Sequence, residues 1–266
     1  MKTRLTLLVV ALLYSVPLLW AALTACKSDL QLQTAPLSIL PAPLCLENFS
    51  RALALVSMQN YSWNTLLLAL LVSLGHFLSC PLAAYALVRL RGRGVGLLRL
   101  LTLAAFVIPY PALMVPQYLL FQRLGLVNSI WPLVLPAFLG NPLFILYLMR
   151  VFRAFPRELE EAAMLDGAGP FTVLTRIVMP LSKPALAAML ALTVQSVWND
   201  FLGPLLYLQD SSLYTVNLGL QFYRGSHHVQ WNLLMAATLM AIVPVVVLFA
   251  LAQRAMMGSS LSGAGK

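Results

Sequence analysis

Charge is scarce in this 266-residue chain. Only 9% of residues are charged, and acids number eight against 17 lysines and arginines. Cysteine is rarer still, at three. Thiols at positions 26, 45 and 80 do not build a disulfide framework, although Cys26 and Cys45 fall in one intervening stretch and are able to pair. Segments of about ten residues alternating in polarity, the mark of membrane β-barrel strands, are also missing. What fills the chain instead is apolar: 61% hydrophobic residues and a mean hydropathy of +0.86. A soluble domain of this length cannot hide so much apolar surface in one core. Repeated apolar runs of about 20 residues suit a hydrocarbon layer about 30 Å thick, crossed at 1.5 Å per residue. The composition therefore predicts an all-α, polytopic membrane helical bundle forming a single domain over residues 1–266, with no room for a second, catalytic one.

The first run, residues 5–25, follows Lys2 and Arg4 and ends in Leu23-Thr24-Ala25-Cys26, similar to a bacterial lipoprotein processing site. Its apolar core exceeds the ~7–15 residues usual in a cleaved signal, and the rest of the chain is itself a membrane bundle, so the run reads as a retained first span. Five further spans are expected at about 64–88, 97–120, 130–149, 184–203 and 233–254, making six. Lysine and arginine gather on the cytoplasmic side of membranes. With the N-terminus inside, the inner segments hold Lys2, Arg4, Arg89, Arg91, Arg93, Arg99, Arg150, Arg153, Arg157, Arg176, Lys183, Arg254 and Lys266. The outer ones hold Lys27, Arg51, Arg123 and Arg224. That imbalance predicts cytoplasmic N- and C-termini. The net charge of +9 is then a matter of topology and contact with anionic membrane lipid, and nucleic acid is not needed to explain it.

Half of the acids, Glu158, Glu160, Glu161 and Asp166, sit within nine residues of the longest inner loop, about 150–183, between the fourth and fifth spans. Helix grammar runs through this segment. Pro156 suits a first helical position, the glutamates suit the positive end of the helix dipole, and Gly167 and Gly169 before Pro170 suit a stop. Leu159, Ala162, Ala163 and Leu165 read as a narrow apolar stripe. A second short helix is expected from Phe171 to about Val178, stopped by Pro180. The plain reading is a surface helix with well-placed charges; the sharper one is a docking helix, because Ala162, Ala163 and Gly167 permit close approach. Composition leaves both open.

The spacing Glu161-Ala162-Ala163, three residues, Gly167, nine residues, Ile177-Val178-Met179-Pro180 resembles the EAA loop of ABC-importer permeases, with Met179 in place of the usual leucine as its one departure. Ala83-Ala84-Tyr85-Ala86, Leu124-Gly125-Leu126-Val127-Asn128, Pro180-Leu181-Ser182-Lys183-Pro184 and Trp198-Asn199-Asp200-Phe201 are similar to the carbohydrate, maltose-type branch. The resemblance covers roughly residues 60–255. It implies a cytoplasmic coupling helix, with Arg157, Glu158, Glu161, Ala162, Ala163, Asp166, Gly167, Ala168 and Pro180 as the ATPase-coupling residues and Glu161 as the foremost charge partner. It also implies a homologous second permease, two ATPase subunits that bind the ATP and magnesium, an extracytoplasmic solute-binding protein, and residence in the bacterial plasma (inner) membrane. This chain itself is expected to hold no cofactor, and not to be an enzyme.

Candidates for the pathway are His76, Pro109, Pro116, Asn141, Trp198, Asn199 and Asp200. Interior prolines free backbone groups that are tolerated at membrane depth only against protein or a wet cavity; the plainer reading is a packed kink. The Gly140-Asn141-Pro142 break is a second candidate cavity wall. His76 is an ionisable group inside a span, or a neutral ring bonded to a nearby carbonyl. Trp198 stacks on a sugar or anchors at an interface, and Asp200 faces the pathway or caps local backbone. The aromatic-rich outer loop, about 207–231, is expected to meet the binding protein; its His227-His228 pair lacks the further ligands a metal needs. Residues 262–266 echo a phosphate loop without its first glycine, its Ser/Thr or its flanking strand. Two other classes compete: an ion-coupled secondary transporter, disfavoured because no carboxylate lies mid-span, and a non-transporting scaffold. Within the ABC class, glycerol-3-phosphate competes with a neutral saccharide, but no lysine or arginine falls inside spans two to six to hold a phosphate.

Overall fold

A computed structural model describes residues 2–90, 92, 94–224 and 229–257. Arg91 and Arg93 of the basic turn, the His227-His228 pair and the phosphate-loop-like residues 262–266 lie outside the described residues. Among the described residues every regular element is helical. Three helical stretches are long and apolar enough to cross a membrane: Leu5–Ala25, Met58–Arg89 and Trp131–Arg153. Two bent pairs pass the same test as pairs, Val95–Val107 with Tyr110–Arg123 and Pro170–Leu181 with Lys183–Asn199, while Trp231–Val247 is a shorter apolar helix.

The chain folds as two compact units. The first comprises Met1–Asn64 and Tyr214–Val246. Helix α1 (Lys2–Ala25) exposes its apolar side chains from Leu5 to Trp20 and ends on a buried polar node. Lys27 is fully buried. Its ammonium donates to the Ser38 carbonyl and lies 4.6 Å from the Trp20 ring centre. Short helices α2 (Asp29–Thr34) and α3 (Glu47–Leu55) follow. From α3, the Asn48 amide donates to the carbonyls of Ala25 and Lys27 at 2.8 and 2.9 Å, so backbone acceptors left over at the end of α1 are satisfied. The Cys26 and Cys45 thiols are free, although the Cys45 N–H donates to the Cys26 carbonyl at 2.8 Å. The Tyr223 hydroxyl donates to the Ala52 carbonyl at 2.8 Å.

The second unit comprises Thr65–Leu213 and Val247–Lys266 and carries most of the candidate residues. Helix α4 (Met58–Arg89) begins six residues before the expected span, and its first turns, up to Asn64, belong to the first unit. Helices α5 (Val95–Val107) and α6 (Tyr110–Arg123) replace the single helix expected at 97–120. They meet at 101°. The cause is local: Ile108 precedes a proline and takes an extended conformation, ψ 120°, as the Pro109 ring demands of its predecessor. Helices α7 (Trp131–Phe138) and α8 (Pro142–Arg153) together make one apolar stretch long enough to cross a membrane, interrupted at the expected Gly140-Asn141-Pro142 break, where Gly140 has φ +97°.

The inner loop holds α9 (Arg157–Leu165), then α10 (Pro170–Val173), a widened π turn over Leu174–Val178 and α11 (Met179–Leu181). Pro180 does not stop this helix, contrary to the sequence reading. The wide turn in front of it supplies the slack that a proline ring and a missing N–H require, and the helix ends two residues later at Ser182. Helix α12 (Lys183–Asn199) then leaves at 81°. It stops four residues before the expected end at 203, because Asp200 is extended, and α13 (Leu202–Tyr207) begins beyond it. The first unit resumes with α14 (Val216–Gly219), and α15 (Trp231–Met257) ends the described chain.

The main core of the second unit draws Cys80, Ala84, Leu148, Phe152, Val173 and Met189 together, so α8, α10 and α12 all pack on the second half of α4. Contacts between α4 and α7 are closer still. A Cβ on Gly75 would lie 2.9 Å from the Ala137 Cβ, and the Ser79 hydroxyl donates to the Ala137 carbonyl at 2.8 Å. Small residues that let backbones approach are how helices associate when water supplies no driving force between them.

Candidate functional sites: an anchored loop helix and a polar cavity

Helix α9 starts one residue later than the proline suggests. Pro156 is extended (ψ 133°) at the cap position, and Glu158 and Glu160 fall in the first turn. Its end is a complete glycine stop. Gly167 takes φ +88°, its N–H donates to the Met164 carbonyl at 3.1 Å, and the next N–H, of Ala168, donates to the Ala163 carbonyl at 2.9 Å. The pair of bonds is the Schellman pattern.

The face this helix turns inward is not the expected apolar stripe. Leu159, Ala162 and Leu165 are exposed, Leu165 at 90%, and the buried residue is Glu160, 3% exposed. Arg89, the last residue of α4, donates from Nε to both Glu160 oxygens at 2.8 and 2.9 Å and adds Nη2 to the same carboxylate. That Nη2 also reaches the Phe152 carbonyl at 3.0 Å, and the Tyr85 hydroxyl donates to Glu160 at 3.2 Å. Burying a lone carboxylate is costly unless it is paired and hydrogen-bonded, and here three donor groups from one helix meet it. The sequence reading missed this role for Glu160, although all four acids of the cluster were in view. An arginine at a helix end and a glutamate 71 positions later carry no mark of pairing in the sequence.

With Glu160 inward, the neighbours fall into place by helical geometry. Arg157, Glu158, Glu161, Ala162, Asp166 and Gly167 are exposed, as is Pro180, while Ala163 and Ala168 are partly buried and pack on the main core. A groove of about 330 Å³ lined by Tyr85, Arg89, Met164 and Phe171 runs beside the anchor.

A second site lies in the same unit. Cavities of about 630 and 380 Å³ share His76, Asn141, Ser196 and Asp200 in their walls. The structure thus brings four of the seven pathway candidates together: His76, Asn141, Asn199 and Asp200. His76 Nδ1 lies 3.1 Å from the Thr193 hydroxyl, its ring edge-on to Phe144 at 5.1 Å. Asn141 caps α8 by accepting the Leu143 N–H at 3.0 Å. The other three candidates do not line these cavities. Trp198 is buried, and Pro109 and Pro116 are exposed, while their neighbours Tyr110 and Gln117 line the smaller cavity. Sequence reasoning missed Gln195 and Ser196, although Thr193, Ser196 and Asp200 at helical spacing form a polar stripe on an apolar helix.

Beyond the far end of α13, Asn128 adopts φ +61° and its side-chain oxygen accepts the N–H groups of Gln209 and Asp210 at 3.0 and 2.8 Å. The Asp210 carboxylate accepts the Ser212 N–H at 2.8 Å, and that bond holds it below the usual carboxylate range. Among the described residues no group of three or more His, Cys, Asp or Glu is placed to hold a metal.

Residues 3–257 match the family described as binding-protein-dependent transport system inner membrane component. The sulfoquinovosyl glycerol transport system permease protein SmoH of Agrobacterium fabrum is 31% identical, the match covering 93% of this chain and 87% of that protein. The trehalose/maltose transport system permease protein MalG of Thermococcus litoralis is 30% identical, over 99% and 97% of the two chains. In fold, the chain is similar to a subunit of a bacterial ABC transporter involved in the import of the acidic polysaccharide alginate. There the TM-score is 0.81 at 21% identity, covering 95% of this chain and 94% of that one.

Proposed function

The chain belongs to the family of binding-protein-dependent transport system inner membrane components, and from that premise we propose how it works within an ABC importer. It is a multi-pass permease subunit, and ATP hydrolysis belongs to a separate subunit. The ion-coupled and scaffold alternatives are set aside by that membership. Six spans with both termini cytoplasmic, in a bacterial inner membrane, remain the reading that the lysine and arginine distribution supports best. On that topology α9 is cytoplasmic and acts as the coupling helix. A second, homologous permease completes the bundle, two ATPase subunits supply ATP and magnesium chemistry, and residues 1–266 act as one permease domain despite forming two compact units.

The observation that carries this reading is the pairing of an anchored face with a free face on α9. Glu160 fixes the helix to α4 through Arg89, while Arg157, Glu158, Glu161, Ala162, Asp166 and Gly167 stay exposed. A lever needs both. Closure of the ATPases pushes on the exposed face, the ion pair passes the displacement to α4, and α4 carries the cavity residue His76. The solute is carbohydrate-like: a relative named for trehalose/maltose transport matches nearly the whole chain, and the cavity walls offer hydroxyl, amide and imidazole groups. Glycerol-3-phosphate, the competing substrate, would find no lysine or arginine among those walls. Affinity purification of the tagged chain from its own membranes tests the assignment. The expected result is a stoichiometric ATPase subunit in the eluate; a chain that purifies without one contradicts it.

A further inference from the structure

We propose that Asp200 is a charge filter in the cavity wall, admitting neutral or amine-bearing polyhydroxylated solutes and turning away anionic ones. The proposal rests on reading the cavity as part of the translocation pathway. Asp200 lines both the 630 and the 380 Å³ spaces. It is the one carboxylate among their lining residues, and no lysine or arginine lines either. The remaining polar lining, including His76, Asn141, Ser196 and Gln195, can donate to or accept from solute hydroxyls. Among this chain's own lining groups that carboxylate is the one fixed charge, so this chain's contribution to the field in the cleft is negative. Phosphate, sulfonate or uronate groups would meet that charge with no cation to offset it, whereas an amine would gain a counter-charge.

The plainer role for Asp200 is a cap. Its Oδ1 accepts the Gly203 N–H at 3.1 Å, joining the end of α12 to α13. The turn is tight, since a Cβ on Gly203 would lie 2.5 Å from Asp200 Oδ2. A cap, however, requires an oxygen acceptor and not a charge, and asparagine serves as well as aspartate. Asp200→Asn therefore keeps the turn and removes the filter.

The test uses the whole transporter in membrane vesicles, with Cys26, Cys45 and Cys80 replaced and Ser196→Cys introduced. Ser196 lies one turn before the end of α12, four residues before Asp200, and lines both spaces with it, at a separation of about 5–6 Å. Two thiol reagents of similar size serve as probes, the cationic aminoethyl and the anionic sulfonatoethyl methanethiosulfonate. Asp200→Asn is expected to lower the cation-to-anion ratio of labelling rates about tenfold at Ser196→Cys, as a unit charge at that distance in a wet cavity predicts. At Leu192→Cys, another turn away, the drop should be smaller because the field decays with distance and salt. A conformational effect of the substitution would change both reagents together and leave the ratio alone. A ratio unmoved by Asp200→Asn, an equal drop at both positions, or no labelling at Ser196→Cys overturns the filter. Labelling at Ser196→Cys should also differ between nucleotide-free and ATP–vanadate-trapped complexes. If it does not, the pathway reading fails, and the filter with it; if it does but the charge ratio is unmoved, the filter alone fails.

Discussion

Arg89 holds Glu160 across 71 residues of sequence with two of its guanidinium nitrogens, and the two side chains are 13% and 5% exposed. In so dry a setting the pair is asymmetric in its consequences. Removing one partner strands a buried charge and costs about 3–5 kcal/mol, while replacing both with apolar side chains of like volume is close to neutral. Arg89→Met and Glu160→Met should each lower the unfolding temperature of the purified complex, and the double variant should recover most of the loss. Equal losses in the single variants that simply add in the double would show that the pair is not a coupled unit. The same double variant should regain stability without regaining coupled transport, because two thioethers pack but do not fix the orientation of α9.

Gly167 ends α9 in the left-handed region with open space around its Cα. Alanine there meets no neighbour, so its cost is conformational only, about 1–2 kcal/mol. Gly167→Ala is expected to leave the complex assembled and to reduce transport moderately. Gly167→Pro, which fixes φ near −65°, should redirect the chain and abolish coupling. Uptake by vesicles carrying each variant at matched expression measures the difference.

Asn128 ties two loops through one oxygen that accepts the Gln209 and Asp210 N–H groups, and it does so at a positive φ that asparagine tolerates better than most residues. Asn128→Asp keeps the acceptor and should be mild. Asn128→Ala returns two exposed N–H groups to water and adds the strain of a positive φ, for a loss of about 1–2 kcal/mol. Limited proteolysis should show cleavage near residues 207–213 rising in the alanine variant and not in the aspartate one.

The helices that depend on composition and local punctuation were legible in the sequence. Long apolar runs placed α1, α4 and the α7–α8 span, and glycine chemistry placed the end of α9 at Gly167. What escaped were features decided by tertiary partners. Pro180 looked like a stop because a π turn is not written in residue preferences, and the prolines of the third span marked a bend without giving its 101° angle. At the loop helix, the acids were read as dipole partners and docking charges. For Glu160 the deciding fact is Arg89, 71 residues away, and its burial inverted the expected stripe. In the cavity, His76, Asn141, Asn199 and Asp200 converge, whereas Trp198 turns into the protein. One face of a helix cannot be told from another until its neighbours are known.

We propose that the exposed face of α9 conveys ATP hydrolysis to the bundle. The most direct measurement of this is ATPase activity of the reconstituted complex with and without loaded binding protein, in wild type and in Glu161→Arg. Glu161 is exposed, so reversing its charge should spare the folding of this chain. Glu161→Arg is expected to keep basal hydrolysis but to lose its stimulation by the binding protein, and uptake with it. Normal stimulation and normal uptake in Glu161→Arg would contradict the account.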